Sequence, residues 1–341
     1  MGQAATKSVS FNSHRAGFAE HRSFETTCSL RNLYDHLTRV EREAGRINAS
    51  LMPLIMKVLI TGGSGLLGGA LLREASKHNI DALGTYNRVS HERGIPMDVT
   101  ERGHVSATMQ RVKPDWIIHA AAMTDVDRCE REPDKAWQAN ALGTKNVVDA
   151  GKECGARVVY ISTDYVFDGE RGPYAEEDVT HPINVYGESK LAGERFTLAE
   201  PNNVVARVCV LYGPDKPNFV TWVVESLQAG TPINVVNDQY NTPTYTNNCA
   251  RALLRICERR LKGIYHVSGR EQLSRYEFAC AIADVFGLNS KLINVTSTDT
   301  LRQQARRPMN SALRVEKAER ALGMRLADVH EGLSALRDEW Q

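Results

Sequence analysis

The chain has 341 residues, 42% hydrophobic and 24% charged, which excludes collagen-like, mucin-like and wholly disordered classes and predicts a globular protein with a sizeable core. Lysine and arginine number 42 against 41 acids, a net charge of +1, so no bulk field recruits nucleic acid or an anionic membrane. The most apolar run, Leu51 to Ile60, is short and carries Lys57, so no membrane span is expected.

Residues 1–55 are polar, lack a strand pattern and offer one helix, Ser29 to Ile47. No hydrophobic stretch near the start suits a secretory signal, and Glu20, Glu25, Asp35, Glu41 and Glu43 speak against a transit peptide. Met1-Gly2-Gln3-Ala4-Ala5-Thr6 fits only the loose myristoylation pattern. The expectation is a poorly ordered extension, or an upstream start codon ahead of a natural beginning at Met56.

From Met56 the pattern sharpens into one unit, 56–341. A β-branched run, Lys57 to Ile60, leads into Thr61-Gly62-Gly63-Ser64-Gly65-Leu66-Leu67-Gly68 and an apolar helix to about Lys77. Strands are predicted at Asp81–Tyr86, Trp116–Ala121, Arg157–Ser162 and Val204–Val210, with a helix around Ala139 to Val148. Beyond Pro214 the pattern turns irregular, with helices near Asn248–Arg260, Arg275–Phe286 and Val315–Leu322. Strands alternating with helices predict an α/β fold, a Rossmann-type doubly wound parallel sheet. The nucleotide-binding core is expected over about 56–212, with a smaller C-terminal substrate-binding lobe mainly over 213–341.

Cysteine usage points to a cytoplasmic protein. The seven cysteines form no Cys-x-x-Cys pair, which argues against a disulfide framework and against structural zinc. No metal site is nominated.

Gly62-x-x-Gly65-x-x-Gly68 sits between a predicted strand and a predicted helix, the context in which this spacing marks a dinucleotide site. The glycines allow the tight turn, the approach of backbone to pyrophosphate and the packing of the helix, whose N-terminal amides favour phosphate. The second strand ends Thr85-Tyr86-Asn87-Arg88, with the nearest acid, Asp81, at its wrong end. Arg88 therefore leans the cofactor to NADPH, through a 2′-phosphate, with NADH as the alternative. Asp98-Val99 is a second candidate, on the adenine side.

Tyr186-Gly187-Glu188-Ser189-Lys190 places a tyrosine and a lysine on one helical face. An adjacent ammonium is expected to lower the phenol pKa and ready it for proton exchange with a substrate oxygen. Thr163, closing the strand beside the expected nicotinamide position, supplies a hydroxyl for the reacting carbonyl. Thr61 and Asn140 lie near the same cleft without a separable role.

These segments resemble the extended short-chain dehydrogenase/reductases, and within them the dTDP-4-dehydrorhamnose reductases. The resemblance runs from Met56 to the C-terminus. It is carried by Thr61–Gly68, His119–Asp127, Ser162–Gly169, Pro182–Lys190, Asn237–Thr244 and Arg307–Leu313. Ser162-Thr163-Asp164-Tyr165-Val166-Phe167 is its most particular part. The resemblance implies reduction of the C4 ketone of dTDP-4-dehydro-6-deoxy-L-mannose, with Tyr186 as proton donor and Lys190 on the tyrosine and the ribose. It further implies that Gly65, Leu66 and Leu67 cover the pyrophosphate, that Ala122, Met123 and Thr124 line the cofactor cleft, and that Thr163 and Asp164 touch the sugar. A homodimer is compatible with it. Val210 departs from the pattern, standing where the family often has a tryptophan near the nucleotide-sugar.

Dehydratases of this fold need a glutamate after the aspartate, and Tyr165 stands there instead; an epimerase is a further alternative. The same region also resembles the regulatory β subunit of methionine adenosyltransferase, an NADP-binding partner. The hydroxyl of Thr163 beside Tyr186 and Lys190 favours the enzyme.

Overall fold

A computed structural model describes residues 56–90 and 94–340; the helix expected over Ser29 to Ile47 lies outside the described residues. The first half runs β1 (Lys57–Thr61), α1 (Leu66–Lys77), β2 (Asp81–Tyr86), β3 (Ile95–Pro96), α2 (Arg102–Val112) and β4 (Trp116–His119). It continues through α3 (Val126–Arg131), α4 (Pro133–Trp137), a π-helical turn (Gln138–Leu142), α5 (Gly143–Cys154), β5 (Arg157–Thr163), α6 (Val185–Leu198) and β6 (Val204–Val208).

The second half holds β7 (Leu211–Tyr212), α7 (Phe219–Gln228), β8 (Ile233–Val236), β9 (Tyr240–Asn241), β10 (Thr244–Tyr245), α8 (Thr246–Glu258) and β11 (Gly263–His266). It closes with β12 (Leu273–Ser274), α9 (Arg275–Val285), β13 (Ile293–Thr296), α10 (Glu316–Leu322) and α11 (Val329–Trp340).

Seven parallel strands form the main sheet in the order β11-β6-β5-β4-β1-β2-β3. Both faces are covered, so strand residues of either parity are apolar. Leu59, Ile117 and Val158 pack with Val105, Met109, Val147 and Val148 of α2 and α5. Val58, Ile60, Ile118, Val159 and Ile161 pack on the other face with Leu71 of α1 and Leu253 of α8. The chain beyond residue 212 contributes to both parts of the molecule. Strand β11 extends the main sheet beside β6, while Val223, Phe278 and Leu333 build a separate apolar cluster around Tyr212.

The strand order reverses between β1 and β4, and a crevice opens there beyond the carboxyl ends of the strands. Under it lies a buried ion pair: Arg207 donates to both Glu194 oxygens, at 2.9 and 2.8 Å, and Ser162 Oγ donates to Glu194 at 2.5 Å. Among the described residues, no helix is long and apolar enough to cross a membrane.

Candidate active site

The crevice is a cavity of about 1170 Å³. Its first wall is the turn from β1 to α1. Gly62 adopts φ +71°, a region that favours glycine, and a Cβ on Gly68 would stand 2.1 Å from the Gly62 carbonyl oxygen. No side chain caps the helix at Gly65 and no acid occupies its first turn, so its amides and positive end face the cleft unopposed. A pyrophosphate fits this cradle. Gly62, Gly65, Leu66, Leu67 and Gly68 all line the cavity.

Arg88, Asp98 and Val99 stand at the far end of the same wall. The Asp98 carboxylate accepts from Thr100 N (2.9 Å), Thr100 Oγ1 (2.8 Å) and Asn87 Nδ2 (3.0 Å). Burial works to raise its pKa, but these donors outweigh it and hold the group below its ordinary value. Asn87, not nominated from the sequence, thereby ties the tip of β2 to Asp98.

Ala122, Met123 and Thr124 line the cleft beyond β4, next to the glycine turn. Asn140, in the π-helical turn, holds Met123 by both main-chain groups, at 2.8 and 3.0 Å, and donates to Ser189 Oγ at 3.0 Å. Thr61 Oγ1 lies 2.7 Å from His119 Nδ1 and accepts from Ala121 N at 3.1 Å. The two residues without a separable role in the sequence therefore fix the backbone of this wall. Burial, reinforced by the Lys190 charge, pushes His119 down to about 3, so it stays neutral here.

Tyr186 and Lys190 project from the first two turns of α6, which Asn184 caps by accepting from Gly187 N at 2.8 Å. Lys190 Nζ donates to the Ile161 carbonyl (2.6 Å) and lies 4.2 Å from the Tyr160 ring centroid. Burial pushes its pKa down to about 7, against the pull of Glu194. The expected lowering of the Tyr186 pKa is not what the structure shows. Burial raises the phenol, and the Thr163 hydroxyl only partly offsets it. The cause is first desolvation, which penalises the charged phenolate, and then the neighbouring Asp164, Cys129 and Tyr165, which add to it.

Thr163, Asp164 and Val210 line the remaining part of the cavity, with Arg275, Asn218 and Phe219. Asp164 is only 3% exposed. Its carboxyl faces inward: Thr163 Oγ1 lies 3.0 Å from Oδ1, while Ser311 Oγ and Cys209 Sγ lie 2.5 and 3.1 Å from Oδ2. Asp164 lines the cavity with Thr163, but its carboxyl is engaged by Thr163, Ser311 and Cys209. Val210 has φ +39°, uncommon for a β-branched residue, at the cavity wall. Arg275, whose guanidinium lies 5.2 Å from the Phe219 ring centroid, went unnoticed in the sequence, because nothing local links it to the cleft.

Among the described residues, no group of three or more His, Cys, Asp or Glu side chains could hold a metal ion. A glycine turn at the sheet's switch point, facing a tyrosine and a lysine one helical turn apart, defines an α/β protein of the nucleotide-cofactor-binding reductase type. The chain belongs to the RmlD substrate binding domain family, whose profile matches residues 56–341. It is 37% identical over 275 residues to methionine adenosyltransferase 2 subunit beta of Danio rerio, covering 77% of this chain and 84% of that one. It is 34% identical over 294 residues to dTDP-4-dehydrorhamnose reductase of Aggregatibacter actinomycetemcomitans, covering 82% and 98%. The crystal structure of dTDP-4-dehydrorhamnose reductase from Bacillus anthracis, in complex with NADP, superposes with a TM-score of 0.77 at 34% identity, covering 84% of this chain and all of that one.

Proposed function

We propose that the protein is an NAD(P)H-dependent reductase of a nucleotide-linked 4-ketosugar, converting dTDP-4-dehydro-6-deoxy-L-mannose to dTDP-L-rhamnose. The observation that carries this reading is the meeting, in one cavity, of the open α1 terminus with Tyr186, Lys190 and Thr163. The family and the reductases in it support the same chemistry.

NADPH, or NADH, when bound supplies the hydride that reduces the C4 ketone. The chain does the rest. The α1 amides hold the pyrophosphate, Arg88 takes the 2′-phosphate, and Ala122, Met123 and Thr124 wall the nicotinamide side. Tyr186 gives its phenolic proton to the ketone oxygen as the carbon accepts hydride, so the product is a neutral alcohol and the phenolate is reprotonated from solvent. Lys190, with a pKa near 7, is placed to carry the ribose and to lend charge as the phenolate forms. The raised Tyr186 pKa keeps it protonated at neutral pH, which suits a donor.

The subunit-beta relatives support a second reading, a nucleotide-binding regulatory subunit without turnover. NADPH absorbance followed with freshly generated ketosugar decides between them. Oxidation with formation of dTDP-rhamnose upholds the reductase. Tight NADPH binding with no oxidation rejects it and supports the regulatory subunit.

A further inference from the structure

Thr163 can donate only one hydrogen. Its oxygen already accepts from Tyr165 N at 3.2 Å and lies 3.0 Å from Asp164 Oδ1. A hydroxyl has one proton and two lone pairs. When Asp164 is ionised, the carboxylate competes with the Tyr186 phenol for that proton, and with the proton on the carboxylate Thr163 offers the cleft only a lone pair. A ketone oxygen needs donors, so this state of Thr163 cannot bind it. When Asp164 carries a proton on Oδ1, the direction reverses. Asp164 donates to one lone pair of Thr163, Tyr165 N fills the other, and the Thr163 proton is released toward the cleft.

We propose that Asp164 works as a neutral carboxylic acid whose hydrogen bond turns the Thr163 hydroxyl into a donor for the ketone oxygen. Asp164 is thus a positioning residue, acting through Thr163, and loses no proton in turnover. The inference rests on the reductase reading.

Burial, at 3% exposure and without an ion-pair partner among the described residues, favours the neutral form, and the hydrogen bonds around it are compatible with that form. Ser311 Oγ and Cys209 Sγ both donate to Oδ2, the oxygen that stays an acceptor in the acid. Ser311 in turn accepts from Asn241 Nδ2 at 2.9 Å, which fixes its own proton on Asp164. Burial raises the Asp164 pKa, against the donors and the more distant charge of Arg275 at the start of α9. The other titratable groups facing it are Tyr165, the Tyr186 phenol on α6 and the Cys209 thiol after β6; each of these is itself pushed upward by burial and stays neutral. Among the described residues, no cation forms an ion pair with Asp164.

Asp164→Asn is the informative variant, because its amide can donate to Thr163 and accept from Ser311 and Cys209 at every pH. The experiment measures kcat against pH for wild type and Asp164→Asn with saturating NADPH and ketosugar, and takes the infrared difference spectrum between the two proteins. The expected spectrum shows a protonated-carboxyl band in the wild type that is missing from the variant. As pH rises, that band and wild-type turnover are lost together, while Asp164→Asn still turns over, so the ratio of variant to wild type grows about tenfold per pH unit. Absence of the band at a pH of full turnover overturns the proposal, as does loss of turnover at the same pH in both proteins. A wild type that never oxidises NADPH with the ketosugar rejects the reductase reading instead, and the band still reports the state of Asp164.

Discussion

The two halves of the cleft, the one proposed for the cofactor and the one proposed for the sugar, are built differently. Most of the cofactor half is made from chain segments that follow one another, β1, the glycine turn, α1 and the tip of β2, joined by Asp98-Val99 and by Ala122–Thr124 after β4. The sugar half gathers Asp164, Cys209, Val210, Arg275 and Ser311, which are up to 147 positions apart, as the Ser311 bond to Asp164 spans. A half made locally carries its chemistry in a motif, whereas a half assembled from afar carries it in contacts that no short window contains. Tyr186 and Lys190 stand where the two meet.

The strongest way to separate the halves is Tyr186→Phe. The phenol leaves but the ring remains against Tyr165, whose ring centroid is 5.8 Å away. Turnover should fall by roughly 10²–10⁴, while the NADPH dissociation constant moves less than about twofold because the glycine turn is untouched. Stopped-flow turnover and fluorescence titration read the two quantities. A fall in both would show that the tyrosine belongs to cofactor binding.

Next in size is Arg207→Leu. The pair with Glu194 has side chains only 3% and 2% exposed, and strand β6 below it leads directly to Cys209 and Val210. Removing the guanidinium strands Glu194, and should cost about 3–5 kcal/mol in urea unfolding. Adding Glu194→Met should recover most of that loss, because the stranded charge goes with it. Amide exchange should loosen first in the strands under the sugar half and last in β1.

Lys190→Met tests the proton side of the site. The folded pKa of about 7 lies below the free value, so the cost of burying the ammonium is fully present below pH 7. It fades as pH climbs toward 10, where the unfolded lysine also loses its proton. The variant should therefore be more stable than wild type by on the order of 2 kcal/mol at pH 6, with the gain shrinking by pH 9. Urea unfolding at the two pH values checks this; a gain independent of pH would place the effect in packing rather than charge.

How much of this was legible in the sequence follows the same division. The glycine spacing, the strand Asp81–Tyr86 and the Tyr186–Lys190 pair are local patterns, and the structure has them in one cleft. Helix α2 escaped notice because its sequence mixes Gly103, His104, Ser106 and Thr108 with few apolar positions, and burial of Val105 and Met109 against the sheet supplies its stability. Strand β11 is invisible as a member of the main sheet because its partner, β6, lies about sixty residues earlier. The inward turn of Asp164 depends on Ser311 and Cys209, neither of which any local pattern nominates. The reversed shift of Tyr186 depends on burial, which composition does not reveal.

Arg88→Ala asks the smallest question, and only of the cofactor half. Arg88 is exposed at the end of β2, on the cavity wall, next to Asn87 and the ionised Asp98. A carboxylate that close disfavours a phosphate unless a cation intervenes, so the preference between the two cofactors rests on the balance of Arg88 against Asp98. An exposed cation on a phosphate contributes about 1 kcal/mol, or roughly fivefold to tenfold in affinity. The variant should weaken NADPH by that amount and leave NADH within about twofold. Titrations with both cofactors at low and moderate salt read the difference, which should shrink as salt screens it. Equal weakening of both would move the phosphate contact away from Arg88 and leave Asp98 to act through the adenine alone.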